Sequence, residues 1–184
     1  MATPSQHLEV EIKLQLTSVS RMREMLPPMG FTLQDPRQLE HNILFDTAGG
    51  TLASAGRLLR LRRYGENNII TFKRPASARQ DDADYKVKEE IESGFEHFES
   101  MKIILQELGY RQVWVYEKFR ETWSREGVAV FLDETPIGDF MEIEGTTEEI
   151  DRLAGDWGYS KEDYIVLNYR RLWKRTGKSG NMTF

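Results

Sequence analysis

Apolar and polar side chains alternate along much of the chain, most strictly in Leu8-Glu9-Val10-Glu11-Ile12-Lys13-Leu14. Successive side chains of a strand point to opposite faces. This run is therefore a strand with Glu9, Glu11 and Lys13 on one face and Val10, Ile12 and Leu14 on the other. The same period of two predicts seven further strands, over 39–45, 57–63, 68–74, 85–93, 112–123, 128–134 and 140–144. The period becomes helical over 17–26, where Thr17 or Ser18 can cap the helix and Pro27-Pro28 stop it. Residues 94–108 carry the stripe Phe95, Phe98, Met101, Ile104, Leu105 and Leu108, expected to pack into the core, with Gly109 as terminator. Thr146-Thr147-Glu148-Glu149 is a capping box, and Ile150, Leu153, Ala154 and Trp157 give the helix behind it an apolar face. Residues 51–55 read as one helical turn and 160–173 as one or two terminal helical segments. The polar stretch 76–84 reads as a solvated loop.

Composition narrows the class. With 184 residues the chain is one domain, set at 1–175, followed by a glycine-containing polar tail at 176–184 that is expected to be loose. Charged residues make up 30% of the chain, 25 cationic against 30 anionic, for a net charge of -5. An acidic balance argues against a general nucleic-acid binder. The chain has no cysteine, which excludes disulfides, thiolate nucleophiles and Cys-based zinc sites. His7, His41 and His97 show no metal-ligand spacing. No apolar run reaches membrane-spanning length and the first residues lack the apolar core of a signal peptide, so the expected setting is the cytoplasm without a membrane partner. A homodimer is compatible with these features but not required by them.

Eight strands with intervening helices imply an α+β domain built on an eight-stranded antiparallel β-barrel, since closure removes exposed edges. Alternation alone admits two such barrels. In one the apolar faces point inward and the charges are solvated; in the other the charges line a wet lumen and the apolar faces pack beneath the helices. Burying unpaired charge costs several kcal/mol, so the second needs ion pairs, water or ligands inside. Its lumen would nevertheless suit one chemistry. Clustered Arg and Lys match a polyphosphate, and carboxylate pairs match Mg²⁺ or Mn²⁺, which prefer oxygen ligands and bridge to phosphates. Competing motifs are weak. Gly177-Lys178-Ser179 resembles the end of a P-loop, but Leu172 stands where its first glycine is required; Asp81, Asp82 and Asp84 lack the glycine and terminal glutamate of a calcium loop.

Taken in order, the motifs resemble a known family. They are Glu9-x-Glu11-x-Lys13, Gly56-Arg57-Leu58-Leu59-Arg60-Leu61-Arg62, Thr71-Phe72-Lys73-Arg74-Pro75 and Lys88-Glu89-Glu90-Ile91-Glu92. Glu117-Lys118-Phe119-Arg120, the run from Leu132-Asp133 to Asp139-Phe140, and Glu142-Ile143-Glu144 follow. Together they resemble CYTH domains, also called triphosphate tunnel metalloenzymes, a family that includes class IV adenylyl cyclases, thiamine triphosphatases and inorganic triphosphatases. The resemblance implies the barrel with a charged lumen, a small-molecule triphosphate substrate and Mg²⁺ or Mn²⁺. It implies Glu9, Glu11, Glu142 and Glu144 as metal ligands and Lys13, Arg60, Arg62, Lys73, Lys88, Lys118 and Arg120 as phosphate-binding residues. Lys13, Glu90, Glu92 and Asp133 would complete the catalytic machinery. Lys88 stands where the family commonly has Arg, and Asn168-Tyr169 replaces the common Ser-Tyr. The implied activity is hydrolysis of a phosphoanhydride in tripolyphosphate, thiamine triphosphate or a nucleoside triphosphate. The alternatives are conversion of ATP to cyclic AMP and pyrophosphate, and a non-catalytic triphosphate-binding module.

Overall fold

In the computed structural model, which describes residues 5–76 and 84–184, the alternating segments close into one barrel. Its strands are β1 (Ser5–Leu16), β2 (Thr32–Asp46), β3 (Leu58–Tyr64), β4 (Asn67–Pro75), β5 (Lys86–Phe95), β6 (Arg111–Arg125), β7 (Val128–Thr135) and β8 (Gly138–Glu144). The order around the barrel is β1-β5-β4-β3-β2-β6-β7-β8, and every neighbouring pair is antiparallel. Short hairpins make this order cheap to reach. The β6–β7 turn places Gly127 at φ 74°, a left-handed conformation that glycine adopts without a Cβ clash.

The apolar faces point outward. Val10, Ile12 and Leu14 of β1, Val130 and Leu132 of β7, and Met141 and Ile143 of β8 pack against α1 (Val19–Met25) and α4 (Thr147–Asp156) through Val19, Met22, Ile150 and Leu153. Elsewhere on the barrel, Ile43, Phe45, Leu59, Leu61 and Val115 meet Leu52 of α2 (Thr51–Ser54) and Phe98 and Leu105 of α3 (Phe98–Glu107). A third apolar cluster fills the end where β2 finishes and β6 and β8 begin. There Leu44, Trp114, Tyr116 and Phe140 enclose Tyr169 and Trp173 of α5 (Tyr169–Arg175) together with Met182. The helices start where the side chains can cap them. Ser18, Thr146 and Asn168 each accept a backbone N–H of the first turn, contacts worth about 1 kcal/mol apiece.

Several expectations are corrected. The second strand is longer than 39–45 because Thr32, Leu33, Asp35 and Gln38 pair with β6 across irregular register, although most of 32–38 is exposed, so no apolar stripe marks them. On α3, Ile104 is 50% and Leu108 69% exposed. The barrel takes only the face of Phe98, Met101 and Leu105, and Leu108 lies at the C-cap beyond it. The tail is docked rather than loose. Met182 is fully buried and bridges in parallel to Tyr116, its N–H donating to the Val115 carbonyl (3.0 Å) and its carbonyl accepting from Glu117 (2.8 Å). The Gly180 carbonyl accepts the indole N–H of both Trp114 and Trp173. Most of the expected loop at 76–84, and residues 1–4 of the N-terminal segment, lie outside the described residues. Among the described residues no helix is long and apolar enough to cross a membrane.

Candidate active site in the barrel lumen

The outward apolar faces leave the alternate positions pointing inward, and these carry the charges. Glu9, Glu11, Lys13, Arg60, Glu90, Lys118, Arg120, Asp133 and Glu142 are all more than nine-tenths buried. Seven cations, Lys13, Arg60, Arg62, Lys73, Lys86, Lys118 and Arg120, each have a carboxylate oxygen within 3.6 Å. Such a lumen is tolerable only because both signs interleave, since an unpaired buried ion is penalised by several kcal/mol.

The network has a direction around the barrel. On the β1 side, Glu9 accepts from Lys73 of β4 at 2.6 and 2.8 Å. Glu11 accepts from Lys13 at 2.8 Å and from Lys86. Glu142 of β8 lies 3.3 Å from Lys13 and accepts from Arg120 at 2.6 Å. On the β6–β7 side, Asp133 takes both prongs of Arg120 at 2.6 Å, Lys118 at 2.8 Å and the Tyr169 hydroxyl at 2.7 Å. On β3, Arg60 donates to Thr71 and reaches Glu90 (3.6 Å) and Glu92 (3.4 Å). Lys88 faces Glu9 in the β1–β5 register, yet Lys73 takes that carboxylate.

Electrostatics separate the carboxylates. Burial pushes Glu11 and Glu142 up, but Lys13 and Lys86 for the one, Arg120 and Lys13 for the other, outweigh it and hold both well below the usual range. Burial opposes the Lys13 charge as well, yet Glu11 and Glu142 raise its pKa. Glu92 falls to about 2, where Arg60 and the Thr71 hydroxyl overcome burial. Glu144 behaves oppositely: burial and then the neighbouring Glu9 and Glu11 push its carboxyl up to about 8. It stands at the barrel rim, in register with Glu11, beside a cleft of about 680 Å³ lined by Leu8, Val128, Ala129 and Thr147.

The residues expected from the sequence thus come together around one lumen, Lys88 and Glu144 towards its more exposed parts. Lys86, which donates to Glu11, was not among them, and three further groups were missed as well. Glu40, fully buried on β2, lies 3.6 Å from Arg62 and Lys118 and 3.8 Å from Arg120. Asn42, on the same face, donates to it at 2.9 Å. Tyr169 enters from α5, with Lys13 and Lys118 at 5.4 and 5.0 Å from its ring centroid. The spacing of Glu40 and Asn42 was the available signal, masked by Leu44 at the next inward position. Tyr169 stood out in the sequence only as part of Asn168-Tyr169, with no place in the lumen, because a helix beyond the barrel delivers it.

The model of the CYTH domain matches residues 7–159. The chain belongs to the CYTH domain family. A protein of Methanocaldococcus jannaschii, provisionally named an adenylate cyclase, is 28% identical over 176 residues, covering 90% of this chain and 98% of the relative. Among solved structures, this CYTH domain is similar to a Vibrio parahaemolyticus protein with a TM-score of 0.78 at 19% identity, covering 91% and 98% of the two chains. A Pyrococcus horikoshii protein gives 0.72 at 23% identity over 91% and 99%. An adenylyl cyclase-like protein of Hippeastrum, described as having a dominant triphosphatase activity, gives 0.62 at 23% identity over 93% and 97%.

Among the described residues no three acidic side chains converge into a ready-made metal cage. Glu9, Glu11 and Glu142 turn instead to lysine and arginine partners. The donor set still suits a hard divalent cation. It is all oxygen, and the crowding of Glu144 by Glu9 and Glu11 is what a divalent charge would relieve.

Proposed function

We propose that this CYTH domain is a divalent-metal-dependent enzyme that holds a triphosphate in the barrel lumen and hydrolyses a phosphoanhydride. The observation that carries this reading is a pair of buried donors that make no hydrogen bond: the Nε–H groups of Arg60 and Arg62, with the Glu40 carboxylate 3.6 Å from the latter. Buried guanidinium donors are expensive to leave unmade, and phosphate oxygens are the acceptors that match their geometry. Lys73, Lys118, Arg120 and Lys13 would neutralise the rest of the chain, exchanging their present carboxylate partners for phosphate oxygens. The carboxylates so released, Glu9, Glu11, Glu142 and Glu144, are the groups that would hold Mg²⁺ or Mn²⁺. When bound, such an ion supplies Lewis-acid stabilisation of phosphoryl charge. Asp133 keeps Arg120 and Lys118 oriented, while Glu90 and Glu92 orient Arg60. The triphosphatase activity described for the Hippeastrum protein favours hydrolysis.

The second reading is a class IV adenylyl cyclase, favoured by the name of the Methanocaldococcus relative. The same lumen would then bind ATP with the α-phosphorus presented to the 3′-hydroxyl. Tripolyphosphate, thiamine triphosphate and ATP should be incubated with the protein and Mg²⁺ or Mn²⁺, with phosphate, pyrophosphate and cyclic AMP read separately. Phosphate release is the expected result. Pyrophosphate with cyclic AMP selects the cyclase, and binding without turnover sinks both enzymatic readings.

A further inference from the structure

We propose that Glu40 is a positioning residue for the triphosphate: a fixed internal counter-ion that sets the directions of Arg62, Lys118 and Arg120. This rests on the reading of the lumen as a triphosphate site. β2 lies between β3 and β6 in the barrel, so an inward side chain on it reaches cations from both neighbours. Glu40 is in register with Lys118, and Asn42 with Arg62. Its carboxylate therefore sits among three cations, 3.6 Å from Arg62 and Lys118 through one oxygen and 3.8 Å from Arg120 through the other.

These separations exceed hydrogen-bond length, and two of the three cations make their short contacts elsewhere. Lys118 and Arg120 hydrogen bond to Asp133 at 2.8 and 2.6 Å. Glu40 thus acts on them as a charge while its own place is fixed by the amide of Asn42 at 2.9 Å. Its second oxygen, Oε2, has no hydrogen-bond partner, although the residue is fully buried. Three like charges converging on a phosphate site repel one another, and a buried anion behind them holds the fan together before substrate arrives. Glu9, Glu11 and Glu142 differ, because each is locked directly onto a cation and must change partners for phosphate to bind. Glu40 needs no such exchange, since it can stay on the wall while the cations turn towards the ligand.

The test is Glu40→Gln, which removes the charge at constant shape, beside Glu40→Asp, which keeps the charge one methylene back. Kinetics are measured with tripolyphosphate and Mn²⁺ well below the melting temperature of each variant. Calorimetry adds the binding of tripolyphosphate alone. The positioning role predicts that Glu40→Gln loses at least about tenfold in kcat while KM and the metal-free Kd stay level or fall, because deleting an anion favours an anionic ligand. Glu40→Asp recovers part of the loss. A kcat within about twofold of the parent in folded Glu40→Gln overturns the proposal, as does a loss confined to KM. Should Glu40→Gln not fold, Asn42→Ala removes the anchor and leaves the carboxylate; it should lower kcat about threefold at constant KM, and an unchanged kcat is again fatal. A parent protein that neither binds nor cleaves tripolyphosphate overturns the triphosphate reading itself, an outcome separate from any variant result.

Discussion

Two arginine–carboxylate contacts in this molecule have nearly the same chemistry and very different surroundings. Arg120 and Asp133 meet at 2.6 Å inside the barrel, their side chains 7% and 0% exposed. Arg152 and Glu149 meet at 3.0 Å on the outer surface of α4, 47% and 37% exposed. Outside, water already solvates both ions, and the contact adds little. Inside, neither ion has that alternative, so each depends on its partner, and the pair is a structural commitment. The proposed triphosphate would draw on the same property, since the lumen cations Lys13, Arg60, Lys118 and Arg120 are buried and already held in place by carboxylates.

The largest consequence should follow from breaking the inner pair. Asp133→Asn leaves Lys118 and Arg120 buried with one anion fewer, and denaturant unfolding should show a loss of about 3–5 kcal/mol. A loss near that of a surface variant would mean that water reaches the pair. Next in size is Glu11→Gln, together with Glu9→Gln. Each should lower turnover at least about 100-fold while circular dichroism shows the barrel intact, the scale of losing one charge-stabilising group in an active site. Full activity in both variants would end the metal assignment.

Acidity separates the regions more finely. Glu92, held down at about 2, contributes stability that is present above its unfolded pKa of 4.5 and disappears as pH falls towards 2. Glu144, pushed up to about 8, works in the opposite sense. Between 4.5 and 8 the folded state holds its proton more tightly than the unfolded chain, so its contribution is full at low pH and is lost as pH rises. Melting curves across pH should therefore show Glu92→Gln weakening the protein most above pH 5, and Glu144→Gln strengthening it most above pH 8. Parallel shifts in the two variants would contradict the assigned environments. The smallest effect belongs to Arg152→Ala, expected to cost at most about 0.5 kcal/mol and to leave turnover unchanged. A larger loss would show that the exposed pair is not a solvated contact after all.

Much of this was legible in the residues. Period-two runs located all eight strands, and Ser18 and Thr146 marked helix starts that the structure keeps. The stripe 95–108 shows the limit of such reading: apolar periodicity places residues on a helix but does not say how wide a face the barrel will take. Residues 32–38 show the converse, a strand made by pairing with β6 without any apolar signature of its own.

The sequence by itself determined that Glu9, Glu11 and Lys13 share a face, and, through the ordered motifs, which family that face resembles. It did not determine from alternation which face is inside. A strand repeat of two is symmetric between in and out, and the choice is made only when helices cover one face and opposite charges meet across the other. Tertiary structure also decided which charges meet. Glu40 is separated by 22 residues from Arg62 and by 80 from Arg120, and strand order alone brings them together. The reason is physical: an ion pair in a barrel depends on distances across the lumen, and those are set by closure and register, which no local pattern encodes.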